Sequence, residues 1–175
     1  TVGIIGGTGS GKSTLVNLVP NFYSATKGQV LIDGVNADEY DRAALLSAVS
    51  VVPQKAVLFE GTIRSNLLMG NPNASEAELF AALETAQAAE IVRTKPNGID
   101  EPVLRGGSNF SGGQKQRLSI ARALVHGGRI LILDDSASAL DFATDAKLRK
   151  AVHNLEGNTT TFLVSQRVAG IRQAD

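Results

Sequence analysis

Residues 6 to 13 read GGTGSGKS, which matches the phosphate-binding pattern G-x-x-x-x-G-K-[ST] at every position. The pattern constrains the fold as well as the chemistry, because such a loop works between a β-strand and a helix. A strand-forming run of Val2, Ile4 and Ile5 precedes it, and residues 14 to 19 have the character of the first turns of a helix. We therefore expect a strand, a glycine-rich loop and a helix, in that order.

This loop predicts a polyphosphate ligand. Its glycines let the backbone fold back so that successive amides point into one concavity, and the N-terminal end of the helix adds positive partial charge. Lys12 is expected to reach the outer phosphates, and the Ser13 hydroxyl is expected to bind the magnesium ion that bridges them. The predicted binding residues of the loop are Gly6, Gly7, Thr8, Gly9, Ser10, Gly11, Lys12, Ser13 and Thr14. The alternative is a glycine-rich turn capped by a lysine.

Length and composition narrow the class of protein. The 175 residues suit one domain, and the start on an apolar strand without an initiating Met suggests a piece of a longer protein. Lys plus Arg and Asp plus Glu both number 17, so the basic excess typical of nucleic-acid binding is missing. With no cysteine, the sequence has neither a disulfide framework nor a thiolate metal site. No apolar run approaches the roughly 20 residues of a membrane span.

The segment after the first helix predicts a strand, a short helix and a second strand. Residues 28 to 34 read as a strand closed by an Asp-Gly turn, and Asp38 or Asp41 can cap a helix through Leu46. Residues 49 to 52 form a β-branched run that Pro53 ends. Gln54 then stands at the carboxyl end of a strand, where open α/β sheets collect ligand-binding groups. An ordinary loop residue is the alternative for Gln54.

A helical insertion is expected next. Residues 71 to 97 are rich in alanine, and Ser75 with Glu78 forms a capping box at the start of a helix. Residues 98 to 107, which follow this helical stretch, read as a connector. Ser111-Gly112-Gly113-Gln114 precedes a helical pattern over residues 115 to 125. The spacing of this tetrapeptide fits a capped helix start and a second anion site equally well.

The most apolar strand, residues 130 to 133, ends in Asp134 and Asp135. Two acids at the end of a buried strand require a cation or solvent. With a phosphate loop upstream, Asp134 is suited to hold magnesium, and Asp135 would lie near the terminal phosphate. Residues 138 to 141 lead into a helix that Asp141 could cap, and a last strand over residues 159 to 164 is followed by Ser165 and Gln166.

Taken together, these stretches resemble the nucleotide-binding domain of an ABC transporter over nearly the whole chain. The most specific element is the signature Ser111-Gly112-Gly113-Gln114 followed by Lys115-Gln116-Arg117. Gln54 matches the Q-loop glutamine of the family, residues 130 to 134 its Walker B strand, and residues 138 to 141 its D-loop. Residues 53 to 64 resemble the exporter type, which couples to its membrane helices near this segment.

The resemblance implies an α/β fold of the P-loop, RecA-like kind: a mainly parallel sheet flanked by helices, with an inserted helical signature subdomain at residues 71 to 125. It implies that two such domains enclose two ATP molecules, each between the P-loop of one domain and the signature of the other. The magnesium ligands would be Ser13, Gln54 and Asp134, and Ser111, Gly112, Gly113 and Gln114 would face the partner's nucleotide. Transmembrane domains, fused or associated, would hold the chain at the cytoplasmic face of the cell membrane.

Two catalytic positions depart from the family pattern. The residue after the magnesium-binding aspartate is usually Glu but is Asp135 here, and the residue after the last strand, usually His, is Gln166. Asp135 is one methylene shorter, and Gln166 exchanges no proton near neutral pH. With Asp135, Gln166 and Lys12 as the catalytic set, we expect tight binding of magnesium-ATP and slow hydrolysis. Heterodimeric exporters of the family carry one such degenerate site, so the implied partner is a different half-transporter.

Two other functions remain as alternatives. The first is a nucleotide-gated clamp or regulatory module, in which ATP holds two chains together with little turnover. The second is a soluble family member that acts on DNA or ribosomes. The neutral charge, the exporter-like residues 54 to 64 and the lack of a long coiled-coil insertion argue against the second alternative.

Overall fold

A parallel β-sheet lies at the centre of the protein. The computed structural model describes residues 1–136, 138–155, 159–166, 171 and 174. The strands of the sheet run in the order β1-β8-β7-β4, and all neighbouring pairs are parallel. These strands are β1 (Val2–Ile5), β4 (Val49–Val52), β7 (Ile130–Asp134) and β8 (Thr160–Ser165). The predicted α/β fold with a mainly parallel sheet is confirmed.

Two short antiparallel strand pairs lie outside this sheet. In the first, β2 (Leu31–Ile32) pairs with β3 (Val35–Asn36) through a turn in which Asp33 and Gly34 have φ angles of 50° and 83°. Positive φ at both central residues is the conformation that an Asp-Gly turn favours, as the sequence predicted. In the second pair, β5 (Gly61–Thr62) bonds to β6 (Pro102–Val103), which follows it only after three α-helices.

Helices cover both faces of the sheet. They are α1 (Lys12–Val16), α2 (Arg42–Ala48), α3 (Ile63–Leu68), α4 (Glu76–Thr85), α5 (Ala89–Arg93), α6 (Gly112–His126) and α7 (Phe142–His153), with 3-10 turns at Ala37–Glu39, Gly98–Asp100 and Arg105–Gly107. Asp41 and Asp141 cap α2 and α7, and Ser75 and Glu78 form the expected capping box of α4. The first helix ends at Val16 and continues only as turns to Val19, so it is shorter than the sequence predicted. Among the described residues, no helix is long and apolar enough to cross a membrane.

The core divides into two clusters because side chains alternate along the buried strand β7. Leu131 and Leu133 belong to the larger cluster, and Ile132 belongs to the smaller one. The larger cluster joins the sheet to the helical segment, where the fully buried Leu67, Leu83 and Ile120 pack together from α3, α4 and α6. Burial on both faces explains why the inner strands β4 and β7 read as continuous apolar runs. The division into a subdomain at residues 71 to 125 stays a prediction; α3 precedes that range and also packs against α6.

Candidate functional site

The parallel order of the sheet brings four predicted site segments to one edge. The P-loop follows β1, Gln54 follows β4, Asp134 ends β7 and Gln166 follows β8. Parallel strands share the direction of their carboxyl ends, so residues far apart in sequence converge there. The converging groups are backbone amides, one ammonium, carboxylates and amide side chains.

The P-loop backbone forms an open cradle. Gly9 and Gly11 have φ angles of 79° and 85°, a conformation that side chains rarely adopt. At Gly7, which is not among the residues with positive φ, an added Cβ would meet no described atom within 4 Å, and the same holds at Gly9 and Gly11. At Gly6 it would stand 2.6 Å from the Ser10 hydroxyl, so that position is sterically closed. Open space next to three glycines would allow a phosphate chain to approach the backbone closely.

The Lys12 side chain folds back onto its own loop. Its Nζ donates to the carbonyl oxygen of Gly7 across 2.6 Å and to Ser10 Oγ across 3.3 Å. The Ser10 hydroxyl also donates to the Gly7 oxygen across 2.9 Å. These acceptors hold the ammonium at the loop, where a phosphate oxygen could replace them. Ser13 and Thr14 are exposed beside it.

Asp134 provides the observation that best fits a bound cation. Its carboxylate is 8% exposed, and among the described residues Oδ1 has no hydrogen-bond partner. A buried carboxylate oxygen without a partner is costly, and a divalent cation would satisfy it. The other predicted ligands, Ser13 and Gln54, are exposed and offer oxygen atoms, the donor type that Mg²⁺ prefers. Among the described residues, no group of three or more His, Cys, Asp or Glu side chains is arranged to hold a metal ion.

Four side chains from four segments form a hydrogen-bonded chain across the site. Asp135 Oδ2 accepts from Gln54 Nε2 across 3.1 Å and from Gln166 Nε2 across 3.2 Å. Gln166 Oε1 in turn accepts from the Thr8 hydroxyl across 3.2 Å. Asp135 has a φ of 45°, which Asp adopts more readily than Glu. The sequence placed all four residues at the site but contained no signal for these bonds.

The signature residues start α6 and contact the segment that precedes α7. Ser111 and Gln114 form a reciprocal capping box. The backbone N–H of Gln114 donates to Ser111 Oγ across 3.3 Å, and the backbone N–H of Ser111 donates to the side-chain oxygen Oε1 of Gln114 across 3.0 Å. An added Cβ at Gly113 would approach the Ala139 carbonyl oxygen to 3.1 Å, whereas at Gly112 it would meet no described atom within 4 Å. The capping alternative is therefore realised, and the exposed, open Gly112 keeps its side of the helix start accessible.

A groove that the sequence did not reveal lies between the sheet and the helical segment. It has a volume of about 370 Å³ and is lined by Phe22, Val49, Ser50, Val51, Phe59, Met69, Gly70, Arg122, Ala123 and His126. Phe22, Phe59 and Met69 are each about half exposed, at 47%, 49% and 52%. Their wide spacing along the chain explains why no sequence pattern predicted the groove.

Arg122 supplies the charge of this groove. Its guanidinium lies 5.4 Å from the centroid of the Phe59 ring, and its Nη2 donates to the Val57 carbonyl oxygen across 3.0 Å. In the described part of the chain, the buried Nη1 finds no acceptor, and burial lowers the pKa of the Arg122 side chain. Beside it, the ring nitrogens of His126 lie 3.1 Å and 3.0 Å from the carbonyl oxygens of Gly70 and Leu46. The groove therefore combines apolar walls with a guanidinium group.

A parallel sheet, a phosphate-binding loop after its first strand and an acidic end on a nearby strand define a P-loop nucleoside triphosphatase. A family model described as ABC transporter matches residues 1–138 of this chain. Over its whole length the chain is 45% identical to an uncharacterized ABC transporter ATP-binding protein of Mycobacterium tuberculosis. The chain belongs to the ABC transporter family and forms an ATP-binding domain of it.

Other similar proteins are named as exporters. The chain is 42% identical to a beta-(1→2)glucan export ATP-binding/permease protein of Bartonella bacilliformis and 41% identical to a putative multidrug export ATP-binding/permease protein of Staphylococcus aureus, in each case over all of its residues. A solved bacterial Atm1-family ABC exporter with ATP bound superposes with a TM-score of 0.94, at 37% identity and over 99% of this chain. The chain spans about 30% of the length of these proteins.

Proposed function

We propose that this chain is the ATP-binding domain of an ABC exporter, in which ATP binding and hydrolysis drive export through transmembrane domains. The observation that carries the proposal is the convergence, at one sheet edge, of the open P-loop with an Asp134 oxygen that has no hydrogen-bond partner among the described residues. The exporter assignment is supported by the similarity to named exporters. In this function the chain would lie at the cytoplasmic face of the membrane.

The chemistry of the site follows from its residues. Backbone amides of the P-loop and Lys12 would bind the phosphates, and Ser13, Gln54 and Asp134 would hold Mg²⁺, which neutralises charge on the phosphate oxygens when bound. Titration of the chain with ATP should give saturable binding that Mg²⁺ strengthens and that Lys12→Ala weakens. Unchanged binding by Lys12→Ala would contradict the assignment of the loop.

The proposal includes slow hydrolysis at this site. Asp135 and Gln166 occupy the positions from which water would be activated, and one oxygen of Asp135 already accepts two amide hydrogen bonds. These two bonds engage the oxygen that a general base would use to take a proton from water, and the Asp135 side chain is one methylene shorter than the Glu usual at this position. A poorly placed general base forfeits most of a contribution of about 10²–10⁴-fold.

We further propose that the signature of this chain completes the site of a second nucleotide-binding domain on a different half-transporter. The open Gly112 and the intact capping box of Ser111 support this role, because they keep helix-start amides available to a phosphate from outside. A complementation experiment tests it. Wild-type chain is mixed with the triple variant Asp135→Glu, Gln166→His and Ser111→Arg, whose P-loop site is repaired and whose signature is blocked.

The expected outcome is asymmetric. Each component alone should hydrolyse ATP slowly, since the triple variant has no working signature and the wild-type chain has no competent base. The mixture should be faster than the sum of its components, because the wild-type signature completes the repaired site. A mixture no faster than that sum would contradict action of the signature between chains.

Coupling to transmembrane domains is assigned to the groove beside Phe59. The segment at residues 53 to 64 borders it, and a helix from the membrane domain could place apolar side chains on Met69 and an acceptor on Arg122. The chain contains no cysteine, so Met69→Cys in the full-length transporter offers a single attachment point on this domain. A photo-crosslinker there should capture the membrane domain, whereas one at Leu31→Cys, of similar exposure on the β2-β3 hairpin, should not.

A second candidate function is a nucleotide-gated clamp. The same Asp135 and Gln166 favour it, because ATP that is bound but slowly hydrolysed would keep two domains associated. Single-turnover measurements with the partner half-transporter separate the two functions. Hydrolysis coupled to each transport cycle supports the exporter motor, and stable association without turnover supports the clamp.

A further inference from the structure

We propose that Thr8 is a positioning residue of this site. Its hydroxyl fixes the side-chain amide of Gln166 so that the NH₂ group, and not the carbonyl oxygen, faces Asp135 and a bound triphosphate. The inference rests on the proposed nucleotide site, but its first observable is present in the nucleotide-free protein. The hydroxyl therefore has a role distinct from that of the P-loop backbone.

The direction of the hydrogen bonds follows from the chemistry of the groups. An ionised carboxylate only accepts, so Asp135 Oδ2 requires nitrogen from both Gln54, at 3.1 Å, and Gln166, at 3.2 Å. The oxygen of the Gln166 amide must then point away from Asp135, and it lies 3.2 Å from Thr8 Oγ1. Since an amide oxygen has no hydrogen to give, Thr8 must be the donor. The series of hydrogen bonds from Thr8 through Gln166 to Asp135 therefore allows only one assignment of donors and acceptors.

The side-chain amide of Gln166 needs a contact that fixes its orientation. The terminal torsion of glutamine is broad and roughly two-fold, so exchange of its oxygen and nitrogen meets little intrinsic resistance. Thr8 is suited to the task because β-branching restricts its χ1 angle and so limits the directions of its hydroxyl. The two residues are 158 positions apart, so this contact forms only in the folded domain.

The consequence for binding is discrimination between ATP and ADP. The Gln166 NH₂ group has two hydrogens, and Asp135 takes one of them. The second remains for an oxygen of a third phosphate, which ADP lacks. Loss of the Thr8 hydroxyl should therefore weaken the binding of a triphosphate and spare that of a diphosphate.

The first test uses the nucleotide-free chain. In ¹H–¹⁵N spectra the Gln166 side-chain NH₂ signals, assigned by their loss in Gln166→Ala, should shift in Thr8→Val and return toward their wild-type positions in Thr8→Ser. Thr8→Ala removes the same hydroxyl without the branched side chain and serves if Thr8→Val does not fold. Gln166 signals that are unchanged when the hydroxyl is removed would overturn the proposal, whatever the ATPase activity proves to be.

The second test measures affinity by calorimetry, with Mg²⁺ and either ADP or a non-hydrolysable ATP analogue. We expect Thr8→Val to lower the affinity for the ATP analogue by about 3- to 10-fold, as for the loss of one neutral hydrogen bond. The affinity for ADP should stay within about two-fold of the wild-type value. Thr8→Ser should restore the affinity. In a Gln166→Ala background, Thr8→Val should have no further effect on the analogue. Equal losses for both nucleotides, or a full effect without Gln166, would show that Thr8 acts through the P-loop backbone.

Discussion

Asp135 accepts a hydrogen bond from Gln54 across 3.1 Å, which joins the carboxyl ends of the neighbouring strands β7 and β4. The carboxylate next to it, on Asp134, has a buried oxygen without a described partner. Consecutive acids at one strand end therefore have different environments: one is occupied by amide donors and the other remains ready for a cation. This difference supports separate roles for Asp134 in metal binding and for Asp135 near the attacking water.

Replacement of Asp134 by Asn should separate stability from binding. The buried carboxylate oxygen costs free energy in the nucleotide-free domain, and an amide costs less, so urea denaturation should show Asp134→Asn at least as stable as wild type. Affinity for ATP in the presence of Mg²⁺ should fall by about tenfold or more, whereas affinity in EDTA should change little. A domain that loses stability without losing the magnesium dependence of binding would contradict the metal role of Asp134.

The two glycines of the signature should respond in opposite ways to alanine. Gly113→Ala places a Cβ 3.1 Å from the Ala139 carbonyl oxygen, and we expect it to lower the free energy of unfolding by about 1–3 kcal/mol through overpacking. Gly112→Ala meets no described atom within 4 Å and should keep or raise stability by up to about 1 kcal/mol, since alanine favours the helix. Chemical denaturation of the two variants makes the comparison, and equal destabilisation would contradict the packing described for α6.

The elements of the fold were predictable where the information is local. The run of residues 49 to 52 became β4 with the predicted bounds, and the Asp33-Gly34 turn and the caps at Ser75 and Asp141 were found as expected. Each depends on neighbours within about four residues, where periodicity and capping act. The end of α1 at Val16 was not predictable, because a short helix depends on tertiary packing more than on propensity.

The site was predictable in its residues but not in its contacts. Motif spacing placed Gln54, Asp135 and Gln166 at strand ends, but strand order decides which ends are neighbours, and no local pattern encodes that order. The hydrogen bonds that join them span 81 and 31 positions. The groove at Arg122 was missed for the same reason, since its walls come from separate parts of the chain.

Acid should destabilise the domain through carboxylates that are hydrogen-bonded in the folded state. The Thr144 amide and hydroxyl lower the pKa of Asp141 below its ordinary value of 3.8, and hydrogen bonds from Arg64 lower the pKa of Asp100. A depressed folded-state pKa contributes stability above the unfolded value, and this stability is lost as pH falls below about 4. Asp141→Asn keeps a capping oxygen but does not titrate. Its urea midpoint should therefore fall less steeply with acid than that of wild type, and parallel curves would contradict the assignment.

A variant of the groove tests coupling separately from catalysis. In the full-length transporter, Phe59→Ala removes an apolar wall and the ring beneath the Arg122 guanidinium. We expect substrate export per ATP hydrolysed to decrease, while nucleotide affinity of the domain stays within about two-fold, because no residue of the P-loop lines the groove. A loss of nucleotide affinity as large as the loss of export would contradict a coupling role.

The central claim is that this P-loop binds magnesium-ATP competently and that Asp135 and Gln166 limit hydrolysis. Its most direct test is a single-turnover measurement of hydrolysis by wild type and by the Asp135→Glu, Gln166→His double variant, with bound nucleotide quantified in parallel. We predict full occupancy of both proteins and a rate constant at least about tenfold higher for the double variant, as expected when a general base is restored. Equal rate constants for the two proteins at full occupancy, or no bound nucleotide in wild type, would contradict the account.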